Sequence, residues 1–133
     1  MFSVFGWATI SCSTNEIDQA EDKKILEKLD EQIEKYRIDG LIEIRLYKTL
    51  NGSLNALSIV GSRNHRYEKI IDLYRWLADN ATGSYGLLYI HDDESNFENE
   101  FRVLRLARGK ISVESDPFLS PIIPTVEEHY ESW

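Results

Sequence analysis

Hydrophobic and polar residues alternate along this chain with two periods, and each period predicts one kind of secondary structure. A period of two residues, or a short apolar run, predicts a β-strand, whereas apolar residues at spacings of three and four predict an amphipathic α-helix. The predicted strands are residues 2–12, 41–47, 54–60, 84–91, 100–107 and 111–114. The predicted helices are residues 18–36 and 67–81. The predicted order of elements is therefore β-α-β-β-α-β-β-β.

Loops are predicted where turn-forming or helix-capping residues interrupt these patterns. They include a capping segment, a tight turn, a polar loop and a hairpin turn, at Asn15–Asp18, Asn51–Gly52, Gly61–His65 and Arg108–Lys110. The order of elements predicts an α+β two-layer sandwich, in which two helices cover one face of a mainly antiparallel sheet. The first six elements match a split βαβ, ferredoxin-like core, and the last two strands extend or cap its sheet.

The face of this sheet that the helices leave uncovered is predicted to be rich in aromatic residues. The strand over residues 84–91 is apolar on both faces, which indicates a central position. By alternation, the uncovered face carries Phe5, Trp7, Tyr85, Leu87 and Tyr89. Such a face either packs under the C-terminal tail or binds a partner. We expect the tail to cover most of it.

The length of the chain, 133 residues, fits a single domain with a real core. Residues 115–133 contain Pro117, Pro121 and Pro124 with apolar residues between them, which predicts an extended tail packed along the domain. The single cysteine, Cys12, cannot form an intramolecular disulfide, and a reducing compartment is expected. No stretch approaches the roughly 20 apolar residues of a membrane span. We therefore expect a cytoplasmic protein.

The charge of the chain restricts the class of partner. It has 15 basic and 23 acidic residues, which give a formal net charge of −8. Nucleic acid is disfavoured as a direct ligand because its binding requires a basic surface. An anionic membrane surface is disfavoured for the same reason. A basic protein partner, by contrast, would be captured quickly.

The negative charge is concentrated after the predicted central strand, in a segment that we call the acidic loop (residues 92–100). This loop has no Lys or Arg, and its carboxylates belong to Asp92, Asp93, Glu94, Glu98 and Glu100. Such a patch suits a divalent metal, a general acid/base pair or a basic protein. The spacing does not match an EF-hand loop, which alternates its ligands around a central glycine. A solvated loop without a specific ligand remains the simplest interpretation.

Hydrolytic chemistry has two candidate residues, His65 and His91, the second of which precedes Asp92. No nucleophile elbow, phosphate loop or zinc-ligand spacing accompanies them. Arg63–Arg66 would otherwise cap the second helix and pair with nearby acids. No catalytic residue, metal ligand or cofactor is therefore assigned. Partner capture fits better, because aromatic side chains anchor an interface while carboxylates steer and pair with Lys or Arg.

A set of short segments, which occur in order over nearly the whole chain, indicates a family resemblance. They are Phe5–Ile10, Gly61–Arg66, Gly83–Tyr89, Asp92–Glu94, Asn99–Val103, Arg108–Gly109 and Asp116–Thr125. Together they resemble the Imm7 family of bacterial immunity proteins from polymorphic toxin systems. The pattern departs from the resemblance at Phe5 and Ile122, where His and Cys are expected. This departure argues further against an enzymatic or metal-binding role.

The resemblance implies a small cytosolic protein that binds and silences a cognate toxin domain stoichiometrically. Toxins of such systems are often nucleases, whose basic clefts suit an acidic inhibitor. The acidic loop then either covers the cleft as a phosphate mimic or binds beside it. An alternative function is a small-molecule-binding regulatory domain of ferredoxin-like type, and another is a hydrolase that uses His65 or His91; both rest on analogy of fold alone.

The candidate toxin contacts fall into three groups. Steering and pairing groups are the carboxylates of the acidic loop, namely Asp92, Asp93, Glu94, Glu98 and Glu100. The candidate aromatic anchors are Trp7 and Tyr89, and the secondary candidates are Arg63, Asn64 and His65. The motif residues have structural interpretations as well: backbone room at Gly6, Gly83 and Gly86, loop hydrogen bonds at Arg63 and Asn64, and packing at Trp7.

Overall fold

The computed structural model describes residues 1–14, 19–36, 40–50 and 54–122. Its elements, in chain order, are β1 (Phe2–Thr9), α1 (Gln19–Tyr36), β2 (Ile42–Lys48), β3 (Asn55–Arg63), α2 (Glu68–Asn80), β4 (Tyr85–Asp92), β5 (Arg102–Ala107) and β6 (Lys110–Ser115). The predicted order and the α+β class are both confirmed. The predicted capping segment and the Asn51–Gly52 turn lie outside the described residues, as do residues 123–133 of the tail.

The six strands form one antiparallel sheet in the order β2-β3-β1-β4-β5-β6. β1 and β4 therefore lie at its centre, as the two-sided apolar pattern of β4 predicts. β5 and β6 extend the sheet beyond β4 and are joined by a two-residue turn. Arg108 and Gly109 in this turn both have positive φ, of 52° and 73°. A type I′ hairpin turn requires this backbone conformation.

Both helices pack on one face of the sheet, where the core lies. Its buried side chains alternate along the strands and recur every three or four residues along the helices. Those from the helices include Leu29, Ile33, Ile70, Leu73, Tyr74 and Leu77, and those from the strands include Phe2, Val4, Ile44, Leu57, Ile59, Leu88 and Leu106. The opposite face of the sheet is called the open face below. Neither helix is long and apolar enough to span a membrane.

Several predicted strand ends were wrong by one to three residues, because pairing with a neighbouring strand overrides local polarity. β5, for example, starts at Arg102, two residues later than predicted. β1 starts at Phe2, and both neighbouring strands remain paired with β1 as far as this residue. Arg63 on β3 and Asp92 on β4 lie opposite Phe2. β3 therefore runs through the first part of the predicted loop 61–65. β4 takes in Asp92, which was predicted to lie in the acidic loop. β1 itself ends at Thr9, three residues earlier than predicted.

Part of the C-terminal tail lies within the described residues and contacts the acidic loop. The Phe101 amide donates to Ser120 Oγ at 2.9 Å, and the Ile122 amide donates to Asn99 O at 2.8 Å. Asp116 is buried, and its carboxylate accepts from the amides of Phe118 and Leu119 at 3.2 and 2.6 Å. These bonds hold the tail segment against the start of β5.

Candidate functional site

Asp92 shapes the acidic loop instead of facing solvent. It is the last residue of β4, and only 9% of its surface is exposed. Its Oδ1 accepts from the Glu94 amide at 3.1 Å, and its carbonyl accepts from the Ser95 hydroxyl at 2.7 Å. An aspartate that binds a backbone amide two residues ahead stabilises a turn. Asp92 is one of the five carboxylates predicted as steering groups, but in the structure it is buried and stabilises the loop.

The next two carboxylates have partners within the chain. Asp93 pairs with the amino group of Met1. This hydrogen bond lowers the pKa of the Asp93 carboxyl and raises the pKa of the amine. Glu94 Oε1 lies 2.6 Å from His65 Nδ1, so the loop after β3 lies against the acidic loop. The structure thus brings the predicted secondary candidates Asn64 and His65 to the same end of the sheet as the carboxylates.

Arg102, which sequence reasoning did not single out, organises the second half of the acidic loop. Its guanidinium stacks on the Phe97 ring, 4.0 Å from the centroid, and donates to Ser115 Oγ at 2.8 Å. It also lies 3.6 Å from Glu100, whose side chain is one-third exposed. Glu98 is exposed, and its carboxylate has no ion pair within the described part of the chain. Among the carboxylates of the acidic loop, Glu98 is therefore the one best able to pair with a partner.

Replacing Arg102 with alanine should lower the free energy of unfolding by about 1–2 kcal/mol, because a partly buried cation–π contact and a charged hydrogen bond are both lost. Urea unfolding measures the change. Arg75→Ala provides the control, since among the described residues Arg75 makes only exposed ion pairs, with Asp72 and Glu68. Such pairs contribute about 0.5 kcal/mol or less. Equal losses in the two variants would contradict the organising role of Arg102.

The aromatic side chains predicted for the uncovered face lie on the open face, in two contiguous groups. Phe101 packs edge-on against Phe5, Tyr89 and His91, with ring centroids 6.3, 5.7 and 6.1 Å apart. Trp7 packs edge-on against Tyr85 at 6.1 Å. Edge-to-face contacts at these separations are favourable. The group around Phe101 borders the acidic loop, and the Trp7 group lies further along β1 and β4.

Trp7 and Tyr89 differ in how much of each side chain a partner can reach. Trp7 is 44% exposed, and its neighbours on the open face, Phe5 and Tyr85, are 47% and 54% exposed. Tyr89 is half-buried, because Phe101 covers one side of its ring. Phe101 was placed in the predicted strand 100–107 but was not named among the aromatic residues of the uncovered face. In the structure it lies just before β5, which starts at Arg102.

Most of the remaining motif residues make contacts within the fold. Arg63 stacks over the Tyr67 ring with its guanidinium carbon 4.1 Å from the centroid, whereas Asn64 is exposed. A Cβ added at Gly6, Gly83 or Gly86 would lie closer than 3 Å to neighbouring atoms, so each of these glycines allows a close approach. That geometry agrees with the interpretation of the glycines as backbone spacers.

The two candidate histidines, His65 and His91, contact different parts of the acidic loop. His65 contacts Glu94, whereas His91 Nε2 donates to the carbonyl oxygen of Glu98 at 2.7 Å. Neither histidine contacts a serine, threonine or cysteine side chain in these hydrogen bonds. Within residues 1–14, 19–36, 40–50 and 54–122, no three His, Cys, Asp or Glu side chains converge as a metal site would require. The arrangement is one of loop-stabilising contacts beside an exposed aromatic surface.

Comparison with known proteins identifies the family. The chain matches no curated protein and no solved structure. The family model described as immunity protein 7, Imm7, matches residues 1–128. That match covers both central strands, the acidic loop and the open face. The chain therefore belongs to the Imm7 family of immunity proteins.

Proposed function

We propose that this protein acts in the bacterial cytoplasm, where it binds and neutralises a cognate toxin domain stoichiometrically, and that the toxin is a basic nuclease. The observation that carries the proposal is the family match over residues 1–128. The net charge of −8 supports the basic character of the partner, because opposite charges accelerate association and disfavour wrong partners. Neutralisation by binding requires no catalytic residue in the immunity protein.

The end of the sheet near the acidic loop supports this function by its charge. Glu98 is exposed and lacks an ion pair among the described residues, while Asp93 and Glu94 are half-exposed despite their contacts with Met1 and His65. Exposed acids of this kind act mainly on the rate of encounter, because each gains little energy in a solvated pair. We therefore assign steering to Glu98, Asp93 and Glu94, and shaping of the loop to Asp92.

Co-expression with the toxin domain encoded beside this gene tests the proposal. We expect growth rescue together with a stable 1:1 complex on co-purification. Rescue without a complex would instead indicate an enzymatic or indirect antidote. Neither rescue nor a complex would contradict neutralisation of that toxin. An unrelated toxin from another system provides the specificity control, since an immunity protein should not rescue growth against it.

Glu98→Lys should slow association with the toxin about tenfold at low ionic strength, because steering by charge changes on-rates by factors of this size. The control is Glu27→Lys, which makes the same change at an exposed position on α1, far along the chain from the acidic loop. Stopped-flow or surface-based association kinetics, repeated at rising salt, measure the effect. The difference between the variants should shrink as salt screens the charges. Equal on-rates for the two variants would argue against steering by the acidic loop.

A further inference from the structure

We propose that the toxin docks on the open face of the sheet, with one of its apolar or aromatic side chains in a notch beside the acidic loop and a Lys or Arg next to it. This proposal rests on the proposed function and names its surface. The notch is lined by Phe5, Tyr89, Phe101 and Leu119 and encloses about 300 Å³. All of its lining surface is apolar.

The notch belongs to a larger apolar surface. Val60 on β3 lies directly opposite Phe5 on β1, and both side chains are about half exposed. Along β1 and β4 the same surface continues through Leu87 to Trp7 and Tyr85. Exposed, contiguous apolar surface of this kind marks interaction sites in soluble proteins. Aromatic residues in a well-packed patch are also the usual hot spots of interfaces.

The charge beside the notch indicates which side chains of a partner would fit there. Leu119 forms one wall of the notch, and the next two residues, Ser120 and Pro121, line a groove with Glu98 and Glu100. This groove encloses about 430 Å³. A partner that fills the notch therefore brings its neighbouring residues over carboxylates, which favours Lys or Arg at those positions.

Four other charged residues on the open face form two ion pairs. Arg45 lies 2.5 Å from Glu43 on β2, and Arg105 lies 4.0 Å from Glu114 across β5 and β6. These pairs flank the apolar surface without adding net charge to it. The exposed carboxylates at the acidic loop therefore dominate the charge that an approaching partner meets.

The same charges disfavour a second copy of this chain as the occupant. Two copies that met through this face would bring their acidic loops toward a like-charged molecule of net charge −8. Like charges placed across an interface are costly. A basic toxin meets no such repulsion.

The experiment compares Val60→Arg with Val113→Arg in the full chain. Val60 is 52% exposed on the open face, and Val113 is 57% exposed on β6, opposite the buried Leu104 of the helix-bearing face. Both variants make the same change at matched exposure. Val60→Arg also lies opposite Glu43, which provides an opposite charge for the new guanidinium. Affinity for the purified toxin domain is measured by calorimetry.

We expect Val60→Arg to weaken toxin binding about 30-fold or more, as loss of an interface hot spot does, and Val113→Arg to bind within about threefold of the native chain. Equal affinity in both variants would overturn the docking surface and leave neutralisation intact. A native chain that fails to bind the toxin would instead overturn the proposed function, and the docking surface with it.

Two further readouts separate other occupants of the face. If a second copy is the occupant, the free native chain sediments as a dimer that Val60→Arg dissociates, while toxin affinity is unchanged. If the chain's own C-terminal segment is the occupant, Val60→Arg lowers the thermal midpoint by several degrees, again with toxin affinity unchanged. Either result overturns the proposal. Trp7→Thr keeps a strand-favouring residue and should weaken binding about tenfold without unfolding the domain.

Discussion

Replacing Gly86 with alanine should lower the free energy of unfolding by about 3 kcal/mol or more, because the added methyl group meets backbone that cannot move away. A Cβ at Gly86 would overlap the carbonyl oxygen of Trp7 and lie 2.6 Å from Ala8 Cα. Both atoms belong to β1, which is hydrogen-bonded to β3 on its other side. Relief of this overlap would require the two central strands to separate.

Gly6→Ala provides the matched comparison for this effect. Gly6 is its counterpart on β1, but the atom nearest to its added Cβ is Leu88 Cδ1, at 2.5 Å. The end of a leucine side chain can rotate, so we expect a loss of about 1–2 kcal/mol. Urea unfolding of both variants measures the difference. Equal losses would show that the clash at Gly86 is relieved by a route other than strand separation.

The close packing at Gly86 also suggests a structural role for part of the family motif. The segment Gly83–Tyr89 supports the resemblance to Imm7, yet its glycines serve close backbone contacts and present no side chain to a partner. Gly86 lies against β1, and Gly83 lies against Ser11 and Ser13. Gly86→Ala should therefore reduce toxin neutralisation only through the amount of folded protein. Affinity per folded molecule, measured by calorimetry, should remain close to that of the native chain.

The fold was largely predictable because periodicity reports directly which residues face the core. The period of two in β1 separated Phe5 and Trp7 from Val4 and Ala8, and the structure confirms this division. Strand ends were less predictable, since they depend on the neighbouring strand. Asp92 illustrates the reason: a carboxylate indicates a loop, but pairing with Phe2 keeps this residue in β4.

Many residues of the candidate site were predictable from the sequence, but the contacts between them were not. Sequence reasoning found the carboxylates and the aromatic side chains, but could not find their partners, because contacts such as Glu94 with His65 join residues 29 positions apart. Arg102 was not singled out, although its guanidinium stacks on Phe97 within the acidic loop. Such contacts depend on how loops return to the sheet, which no local pattern encodes.

Tyr74 connects the core to the surface that we propose for toxin binding. It is fully buried on α2, and its hydroxyl lies 2.8 Å from the carbonyl oxygen of Trp7 and 3.3 Å from that of Leu87. Burial raises the pKa of the Tyr74 hydroxyl well above its ordinary value of 10.0, so the group stays protonated and donates. One side chain thus holds the backbones of β1 and β4 behind Trp7.

This pKa shift predicts the effect of alkaline pH on stability. Above pH 10 the unfolded chain releases the Tyr74 proton while the folded chain keeps it, so the unfolded state binds fewer protons and the free energy of unfolding falls as pH rises. Tyr74→Phe lacks this contribution. Its stability should therefore fall less steeply than that of the native chain between about pH 10 and 11, as urea unfolding at stepped pH would measure.

Tyr74→Ala should lower the free energy of unfolding by about 4 kcal/mol, since a large buried aromatic ring is replaced by a cavity. Tyr74→Phe keeps the ring and loses the hydrogen bond, so we expect a loss of about 1 kcal/mol near neutral pH. Tyr85→Phe is the control, because Tyr85 is 54% exposed and its ring lies on the open face. If Tyr74→Phe were as stable as the native chain, the hydroxyl would not hold β1 and β4 in register. If its toxin affinity nevertheless fell, Tyr74 would act on the open face through the backbone of Trp7 alone.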